Sequence, residues 1–515
     1  MIGDIRLKPR RGAASSSLAW LSLTSLVAAG ATITYLAFAE GQVGFSDGDP
    51  LVGYFALAVV LGTVALLGVR FVSANGRQGS LDILEIPIGY TLWILVGIVP
   101  FGILAFTDEA RYQLNVPMSK GAITAGLWLP VLGLAGVWLG YYLGRVTLST
   151  RRIGLRLLPG EPLKLAVIVY YLLIWVERLW RVRTVGAAYA ATTAVDELSG
   201  LNQLSNYFEQ SAALVLAITS LQVFRQRWSM RYLLWMAGCE GIFALVAGFT
   251  APLVSLVLVL VTARQYAGRP IRFGSSWKWA VVLAFAVFIL PVEAEYRTLL
   301  QSGQIEARSP TALVDGLVRS AENSWLADPG GASGVLWDKV ASREAVVAQT
   351  FGLVVELTPS VIPYWGVERL LAIPADVVPR AFWPDKPNLS TGVYFAINYL
   401  GAPADTVSSA ADTIVGDLYV SAGWAATIVG MLVLGFVAAL LYGVLKVIPL
   451  EKGNYTLPAL YIGLAVSMLD VEGSYIGVMV GLVHRFFVYT MIFWLLHWRG
   501  PGSDDNVGSL GTLRG

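Results

Sequence analysis

The segment Pro379–Pro387 combines residue types that suit a phosphate and a sugar ring. It holds two cations, Arg380 and Lys386, one carboxylate, Asp385, and the aromatic side chain of Trp383. Guanidinium and ammonium groups bind phosphate oxygens, an indole face packs on apolar ring surfaces, and the prolines restrict the backbone. An interfacial anchor in which Asp385 pairs with a neighbouring cation would have the same composition. The residue types leave both roles open.

Arginines elsewhere in the sequence add candidate phosphate contacts. Arg178 and Arg181 stand among aromatic residues at the end of an apolar run. They are candidates for phosphate binding, and anchoring of a helix end is the alternative. Arg319 is one of several arginines in residues 295–421 that are interspersed with glutamates. For each arginine of that group, ordinary ion pairing is favoured over a binding site.

Ionisable residues inside apolar runs are costly in a bilayer, so each is a functional hypothesis. Glu240 and Arg485 both lie in such runs. A purely structural ion pair between them explains their presence as well as chemistry does. Asp412 and Asp417 precede an apolar run, where a carboxylate can cap a helix or its preceding turn.

Several classes of protein are disfavoured by what the sequence lacks. One cysteine and two histidines leave little for a metal site or a histidine-based catalytic cluster. No Gly-rich phosphate loop with Lys-Ser/Thr and no Gly-x-Ser-x-Gly elbow occurs, which argues against an ATP-driven pump and an α/β-hydrolase. The net charge of +2 argues against a nucleic-acid partner. We expect no metal and no cofactor.

Membrane helices must position these residues. The chain is 56% hydrophobic and 14% charged, with a mean hydropathy of +0.65, whereas soluble domains carry about 25% charged residues. A run of about 20 apolar residues spans a bilayer as a helix, which satisfies every backbone polar group internally. We predict an all-α, polytopic transmembrane bundle of about 12 helices, with the lipid bilayer as a partner.

The apolar runs predict where these helices lie. The first run follows a basic cluster and exceeds the roughly 7–15 residues of a signal-peptide core, which favours a signal anchor. Another run, 232–264, is long enough for two helices that turn near Gly248–Pro252. The runs are near residues 17–39, 51–69, 84–106, 121–144, 163–176, 207–224, 232–264, 277–294, 422–445, 455–469 and 474–497.

Lysine and arginine in the loops predict the orientation, because cytoplasmic loops are enriched in both. A cytoplasmic N-terminus places most of these residues on the cytoplasmic side, predicts an even number of helices and makes both termini cytoplasmic. The basic loops on that side are near residues 70–83, 145–164, 225–231, 264–278 and 446–452.

The same pattern divides the chain into four parts. Residues 1–294 and 422–498 hold the N-terminal and C-terminal transmembrane helices, and residues 499–515 form a disordered cytoplasmic tail. Residues 295–421 form a long segment on the outside, too long for a passive loop. Its tryptophans and prolines favour order, with short amphipathic or re-entrant helices around Ala345–Leu371.

Motifs in the C-terminal half resemble those of Wzy-type polymerases of oligosaccharide repeat units. The most telling is Arg-x-Phe-Trp-Pro-x-Lys-Pro, which starts at Arg380. A helix that ends in Glu295-Tyr296-Arg297 fits the same pattern. Three further motifs follow along the chain: Gly392–Ala396, Gly416–Tyr419 and Gly423-Trp424. The first half of the chain is similar only as a set of membrane helices.

The resemblance implies a GT-C-like glycosyltransferase of the bacterial inner membrane. It would transfer the growing glycan from its undecaprenyl-pyrophosphate carrier to the next lipid-linked repeat unit at the periplasmic face, making O-antigen or exopolysaccharide. A chain-length regulator protein is an expected partner. Asp385 and Asp417 are the candidates for the base that accepts the proton of the acceptor hydroxyl. The expected contacts to pyrophosphate and glycan are Arg380, Lys386, Arg297, Arg178, Arg181, Trp383 and Arg319.

Two alternatives remain open. An O-antigen ligase shares the architecture and the lipid-linked donor, but typically has a histidine in the outside segment, and residues 295–421 contain none. A lipid-linked glycan flippase or another secondary transporter would show inverted repeats, broken helices and charges near the middle of the membrane. Glu240 and Arg485 keep that second alternative open.

Overall fold

The computed structural model describes most of the chain between residues 82 and 497. The predicted helices near 17–39 and 51–69 and the predicted disordered tail at 499–515 lie outside the described residues. The described residues are 84–98, 102–106, 118–150, 161–184, 208–248, 250–269, 276–327, 329–376, 391–403 and 412–497, with single positions at 82, 114, 116, 186, 378 and 383.

Helices are the only regular secondary structure in these ranges, so the prediction of an all-α fold is confirmed for them. In chain order they are α1 (Ile86–Trp93), α2 (Lys120–Gly126), α3 (Trp128–Thr150), α4 (Lys164–Thr184), α5 (Ala212–Phe224), α6 (Met230–Ala247), α7 (Thr250–Tyr266), α8 (Ser276–Gln301), α9 (Pro310–Ala321), α10 (Pro329–Leu357), α11 (Glu368–Leu371), α12 (Ile373–Asp376), α13 (Thr391–Asn398), α14 (Ile414–Leu441), α15 (Ile448–Glu451), α16 (Leu457–Met468) and α17 (Tyr475–His497).

Four helical stretches are long and apolar enough to cross a membrane: Lys120–Leu148, Met230–Ala247, Ile414–Glu451 and Tyr475–His497. Shorter apolar helices accompany them, among them Leu457–Met468. The chain is therefore a helical protein with several helices suited to a bilayer. The total of about 12 crossings stays a prediction.

The turn predicted within the run 232–264 is confirmed. Helix α6 ends at Gly248, which has a φ of 72°, and α7 begins at Thr250. Glycine adopts this left-handed conformation without the steric cost that other residues incur, and it commonly ends helices. The two resulting helices pack against each other as a hairpin.

The run 84–106, predicted as one helix, is broken instead. Helix α1 passes into a π-helical turn at Ile94–Ile98, and a separate 3-10 turn follows at Gly102–Phe106. Glu344 of α10 explains the tight contact at the π-helical turn. A Cβ on Gly97 would lie 2.9 Å from its carboxyl group, so only glycine leaves room for that side chain. The hydrophobic periodicity of the run 84–106 does not indicate that Glu344, from a distant segment, packs against it.

Loops at one end of the helices belong to the group predicted to be cytoplasmic. Lys446 donates from Nζ to Asp82 Oδ2 at 2.9 Å, and the Nζ of Lys164 lies 4.0 Å from the ring centre of Tyr232. Each of these residues comes from, or adjoins, a different loop of the predicted cytoplasmic group. The distribution of basic residues thus identifies loops that meet in three dimensions.

Two ion pairs involve residues in or near the segments predicted to lie outside. Arg178 of α4 pairs with Glu240 of α6, with 2.7 Å between Nη1 and Oε1. Arg343 of α10 pairs with Glu472, which lies between α16 and α17, with 2.9 Å between Nε and Oε1. Each pair joins segments that are distant in the sequence.

Glycines bring α3 and α14 into close contact along their length. A Cβ on Gly140 would lie 1.9 Å from the carbonyl oxygen of Leu432, and one on Gly435 would lie 2.1 Å from that of Val137. Small residues let two helix backbones approach each other closely within a membrane. This close pair of helices supports the segment 295–421, because α14 begins within the last residues of that segment.

Helix α14 is interrupted near its start. Ala422 and Gly423 have non-helical backbone angles, and Gly423 has a φ of 71°. The Cδ2 atom of Leu418 lies 2.4 Å from where a Cβ on Gly430 would be, so the first two turns fold back along the rest of the helix. A straight helix over the 38 residues of this stretch would be about 57 Å long, far more than the ~30 Å of a hydrocarbon core.

The outside segment holds α9 to α13. The second half of α10 is not a surface helix, because Ala345, Ala348 and Phe351 are fully buried. It crosses α2 where Gly126 meets Gly352, since a Cβ on Gly126 would lie 2.3 Å from the backbone nitrogen of Gly352. This part of the segment is packed into the helical core and supports the residues that follow it.

Candidate anion-binding site around Arg369

Arg369 of α11 lies in the interior of the outside segment with 4% of its surface exposed. Its Nη1 atom forms an ion pair with Asp417 Oδ1 at 2.8 Å, and its guanidinium carbon lies 3.9 Å from the ring centre of Trp365. The Nε and Nη2 atoms are buried and have no hydrogen-bond partner among the described residues. Buried donors are nearly always satisfied, so two free nitrogens on one buried cation call for an explanation.

Backbone contacts hold α11 against the break in α14. Trp365 donates its N–H to the carbonyl of Val420 at 2.9 Å, and Gly366 donates to that of Ser421 at 3.0 Å. These bonds satisfy carbonyls that would otherwise be orphaned where the first turns of α14 end. Gly423 follows directly, and a Cβ there would lie 2.9 Å from the hydroxyl of Tyr364. The break in α14 is thus what places Arg369 beside Asp417.

Asp417 is fully buried, and both of its oxygens have a positively polarised neighbour. Oδ1 faces Arg369, and Oδ2 accepts the backbone N–H of Ile476 at 3.2 Å. Ile476 lies in the first turn of α17, where the backbone N–H groups have no partner within the helix. The carboxylate accepts one of these N–H groups and interacts favourably with the positive end of the helix dipole. Asp417 therefore connects α11, α14 and α17.

A second carboxyl group, that of Asp412, lies close by with 4% of its surface exposed. Its Oδ1 atom accepts a long hydrogen bond of 3.4 Å from the hydroxyl of Thr391. Burial, and then the nearby charge of Asp417, raise the pKa of Asp412 well above its ordinary value. The next residue, Thr413, has a φ of 64° and caps α14 by accepting the N–H of Gly416 at 3.1 Å.

Aromatic rings line the same region. Trp365 stacks on Tyr394 of α13, with 3.7 Å between ring centres and 19° between planes. Tyr419 contacts Trp424 and Tyr364 edge to face. Such rings offer apolar faces with polar edges, which is the surface that a sugar ring requires. The region thus joins a cation with free donors, two carboxyl groups and an aromatic wall.

These groups suit an anion better than a metal. In the described part of the chain, no group of three or more His, Cys, Asp or Glu residues has the arrangement of a metal site. A guanidinium with two free donors matches the paired oxygens of a phosphate or carboxylate. The arrangement can therefore bind an anionic group and stabilise negative charge that develops on it.

The structure describes only part of the Pro379–Pro387 segment. Arg380, Asp385 and Lys386 lie outside the described residues. Trp383 is described, with 39% of its surface exposed. The binding and catalytic roles of these four residues stay predictions.

The two arginines at the end of α4 are paired with glutamates. Arg178 is buried and makes two hydrogen bonds to Glu240, at 2.7 and 2.9 Å. Arg181 forms an ion pair with Glu209. Helix α4 therefore continues to Thr184, past the predicted end at 176, because its last turns are held by partners on other segments. Phosphate binding by either arginine stays a prediction.

Glu240 and Arg485 have different partners, so the ion pair between them, one of the two explanations that the sequence left open, is not the one observed. Glu240 binds Arg178 instead, and the Nε of Arg485 donates to Gln210 Oε1 at 2.6 Å. Arg297 forms an ion pair with Glu293, one helical turn away in α8, and its Nε also donates to the carbonyl of Gly248.

Arg319 lies exposed on α9. Phosphate binding by Arg297 and Arg319 stays a prediction.

Comparison with known families places most of this region in one family. A family model described as a domain of unknown function, DUF8712, matches residues 176–457, which is more than half of the chain. The chain belongs to this family. No curated protein and no solved structure matches it. The DUF8712 match contains Arg369, Asp412 and Asp417 together with α5 to α15.

Within the DUF8712 range, sequence reasoning identified Asp417 but not its partner. Arg369 was one of several arginines interspersed with glutamates, and nothing in its neighbourhood distinguished it from Arg319. The one usable signal was the recurrence of aromatic residues near it, at Tyr364 and Trp365. Asp412 carried no signal beyond its position before an apolar run.

Proposed function

We propose that this protein is a membrane glycosyltransferase that polymerises undecaprenyl-pyrophosphate-linked oligosaccharide repeat units at the periplasmic face of the bacterial inner membrane. The observation that carries the proposal is the buried Arg369, whose Nε and Nη2 atoms have no hydrogen-bond partner among the described residues. A buried cation with free donors in the segment between two sets of apolar helices suits a lipid-linked anion. The enzyme uses no metal and no cofactor, and its products are O-antigen or exopolysaccharide.

The proposed reaction needs stabilisation of a departing pyrophosphate. The acceptor hydroxyl attacks the anomeric carbon of the donor glycan, the bond between that carbon and the pyrophosphate oxygen breaks, and its electron pair leaves with the pyrophosphate. Arg369 donates from Nε and Nη2 to this leaving group while Nη1 stays paired with Asp417. Fixed donors aimed at developing charge are the largest contribution to catalysis in many enzymes.

Asp417 fits a positioning role, because both of its oxygens are already engaged. The proton of the acceptor hydroxyl then passes to another carboxylate, for which Asp385 is the candidate. Arg380 and Lys386 supply further phosphate contacts from the same segment. Trp383, which is partly exposed, offers a face for a sugar ring.

The membrane arrangement that accompanies this function has about 12 crossings and both termini in the cytoplasm. The enrichment of lysine and arginine in the loops predicted to be cytoplasmic supports it, and the contact of Lys446 with Asp82 joins two of these loops. The outside segment, residues 295–421, then faces the periplasm, where lipid-linked repeat units and a chain-length regulator protein are available.

A deletion strain complemented with variants tests the proposal through the lipid-linked glycans, resolved by repeat number. Without the protein we expect single repeat units that are translocated but not joined. Arg369→Ala should give the same result, since it removes the pyrophosphate donors. The double variant Arg369→Met with Asp417→Asn, which leaves no buried charge unpaired, should give it at normal protein level in the membrane. Arg308→Ala, an exposed arginine of the same segment that belongs to no predicted site, should restore full-length chains. Normal chain lengths with Arg369→Ala would contradict the site.

The same experiment tests the predicted Pro379–Pro387 segment. Arg380→Ala should abolish polymerisation while the protein still inserts in the membrane. A normal distribution of chain lengths in this variant would remove Arg380 from the substrate contacts.

A flippase or secondary transporter is the second candidate function, and the broken helix α14 favours it. Transporters bind substrate at discontinuous helices with ionisable groups inside the membrane, and Asp417 precedes the break at Ala422–Gly423. Repeat units trapped on the cytoplasmic face of the deletion strain would identify a flippase. Full-length polymer left on its lipid carrier would identify an O-antigen ligase instead.

A further inference from the structure

The Arg369 cluster contains more carboxyl groups than cations. Arg369, Asp417 and Asp412 are each at least nine-tenths buried, and Arg369 is already paired with Asp417. If both carboxyl groups were ionised, these three side chains would together carry one excess negative charge. An isolated ionised carboxylate is so costly in a buried site that it takes up a proton instead.

Asp412 is the group that holds this proton. Asp417 has the ion pair and a backbone donor, both of which favour its charged form. Asp412 accepts a long hydrogen bond from Thr391 and one from its own backbone N–H. Among the described residues, the charged and titratable groups that face Asp412 are Asp417, Arg369 and Tyr399. Of these only Arg369 favours ionisation of Asp412, and its charge is already shared with Asp417.

We infer that binding of a polyprenyl pyrophosphate to Arg369 is coupled to protonation of Asp412, because the neutral carboxyl group, which prevails while the site is empty, lets the anion bind more tightly than the ionised form does. This inference rests on the proposed function, because it takes the pyrophosphate as the ligand of Arg369. A pyrophosphate adds negative charge beside Asp412, which disfavours its ionised form further. By reciprocity, ionisation of Asp412 weakens binding of the anion by the same factor.

The sign of the pH dependence follows directly. Below the pKa of Asp412 in the free protein, the carboxyl group is neutral and binding is strongest. As the pH rises through that pKa, Asp412 becomes negative and repels the pyrophosphate. A coupling of one pKa unit corresponds to a change of about tenfold in affinity.

Equilibrium binding of farnesyl pyrophosphate to the full-length protein in detergent tests the inference. We expect the wild type to bind about tenfold more weakly at about pH 9 than at about pH 5, after correction for Asp412→Asn measured with the same ligand. The asparagine cannot ionise, so any pH dependence that remains in this variant belongs to the ligand and to other groups. Arg369→Ala should bind at neither pH.

The outcomes separate the two proposals. An equal pH dependence in wild type and Asp412→Asn would overturn the coupling and leave the anion site in place. Absence of binding to wild type at both pH values would overturn the coupling and the proposed function together. If Asp412→Asn does not fold, Thr391→Val replaces it. Removing the hydroxyl that favours ionised Asp412 should move the midpoint of the wild-type transition to higher pH, and an unmoved midpoint would contradict the inference.

Discussion

At the scale of single residues, the pair Arg369–Asp417 determines what the outside segment can bind. Two opposite charges removed from water are expensive to bury, and their attraction offsets this cost only when each has further partners. Asp417 has such a partner in the N–H of Ile476. Arg369 has two nitrogens without a hydrogen-bond partner among the described residues. Both oxygens of Asp417 therefore have partners, whereas Arg369 can still donate.

Asp417→Asn should therefore destabilise the protein, because it leaves a buried guanidinium without its counter-charge. We expect a loss of about 3 to 5 kcal/mol in the free energy of unfolding, as for other buried pairs broken on one side. Thermal unfolding of the purified protein in detergent measures it. Asp315→Asn, at an exposed position on α9, is the matched control and should leave the melting temperature unchanged.

The double variant Arg369→Met with Asp417→Asn separates charge from packing. With both charges gone, most of the lost stability should return. A double variant as unstable as Asp417→Asn alone would show that the loss came from the contact with α17 and not from the ion pair.

At the scale of helices, the glycine contact between α3 and α14 sets the position of the site. A Cβ on Gly140 would lie 1.9 Å from the carbonyl oxygen of Leu432. The two helix axes would therefore have to move apart if a side chain were added at Gly140. The break at Ala422–Gly423 and the packing of Leu418 on Gly430 depend on the same helix. A shift of α14 would move Asp417 away from Arg369.

Gly140→Ala should destabilise the protein by about 1 to 3 kcal/mol, the usual effect of overpacking a tight contact, and should reduce polymer length with it. Unfolding in detergent and the glycan assay measure the two effects. Gly121→Ala makes the same substitution in α2 at a place with no atom within 4 Å. Because alanine favours helix over glycine, that variant should be as stable as the wild type or slightly more so. Equal behaviour of the two variants would contradict the close contact.

At the scale of the whole molecule, ion pairs join segments that are distant in the sequence, such as Asp82 with Lys446 and Arg343 with Glu472. Asp82 and Lys446 lie in or beside loops that are enriched in basic residues. That enrichment predicts that these loops are cytoplasmic.

Cysteine labelling in intact cells tests that orientation. The chain has one cysteine, Cys239, so Cys239→Ser provides a background without reactive thiols. In this background Gln304→Cys should react with a membrane-impermeant reagent in cells whose outer membrane alone is permeabilised. Lys452→Cys, exposed at the opposite end, should react only after the inner membrane is disrupted. The reverse pattern would invert the topology and place Arg369 on the cytoplasmic side.

The sequence by itself determined the class of the protein and the grouping of its loops. Long apolar runs require helices in lipid because no water is present to satisfy the backbone, and basic residues separate the loops by side. The turn at Gly248 was also predictable, because the conformational freedom of glycine is a local property.

Only the tertiary structure decided the break in the run 84–106, the interruption of α14 and the pairing of Arg369 with Asp417. Each depends on atoms from distant segments, Glu344 against Gly97, Tyr364 against Gly423 and α11 against the start of α14. The packing of the helices determines which charged residues form ion pairs. The order of residue types along the chain does not describe that packing. This is why Arg369 could not be told apart from Arg319 in the sequence, and why the partner of Glu240 could not be identified there.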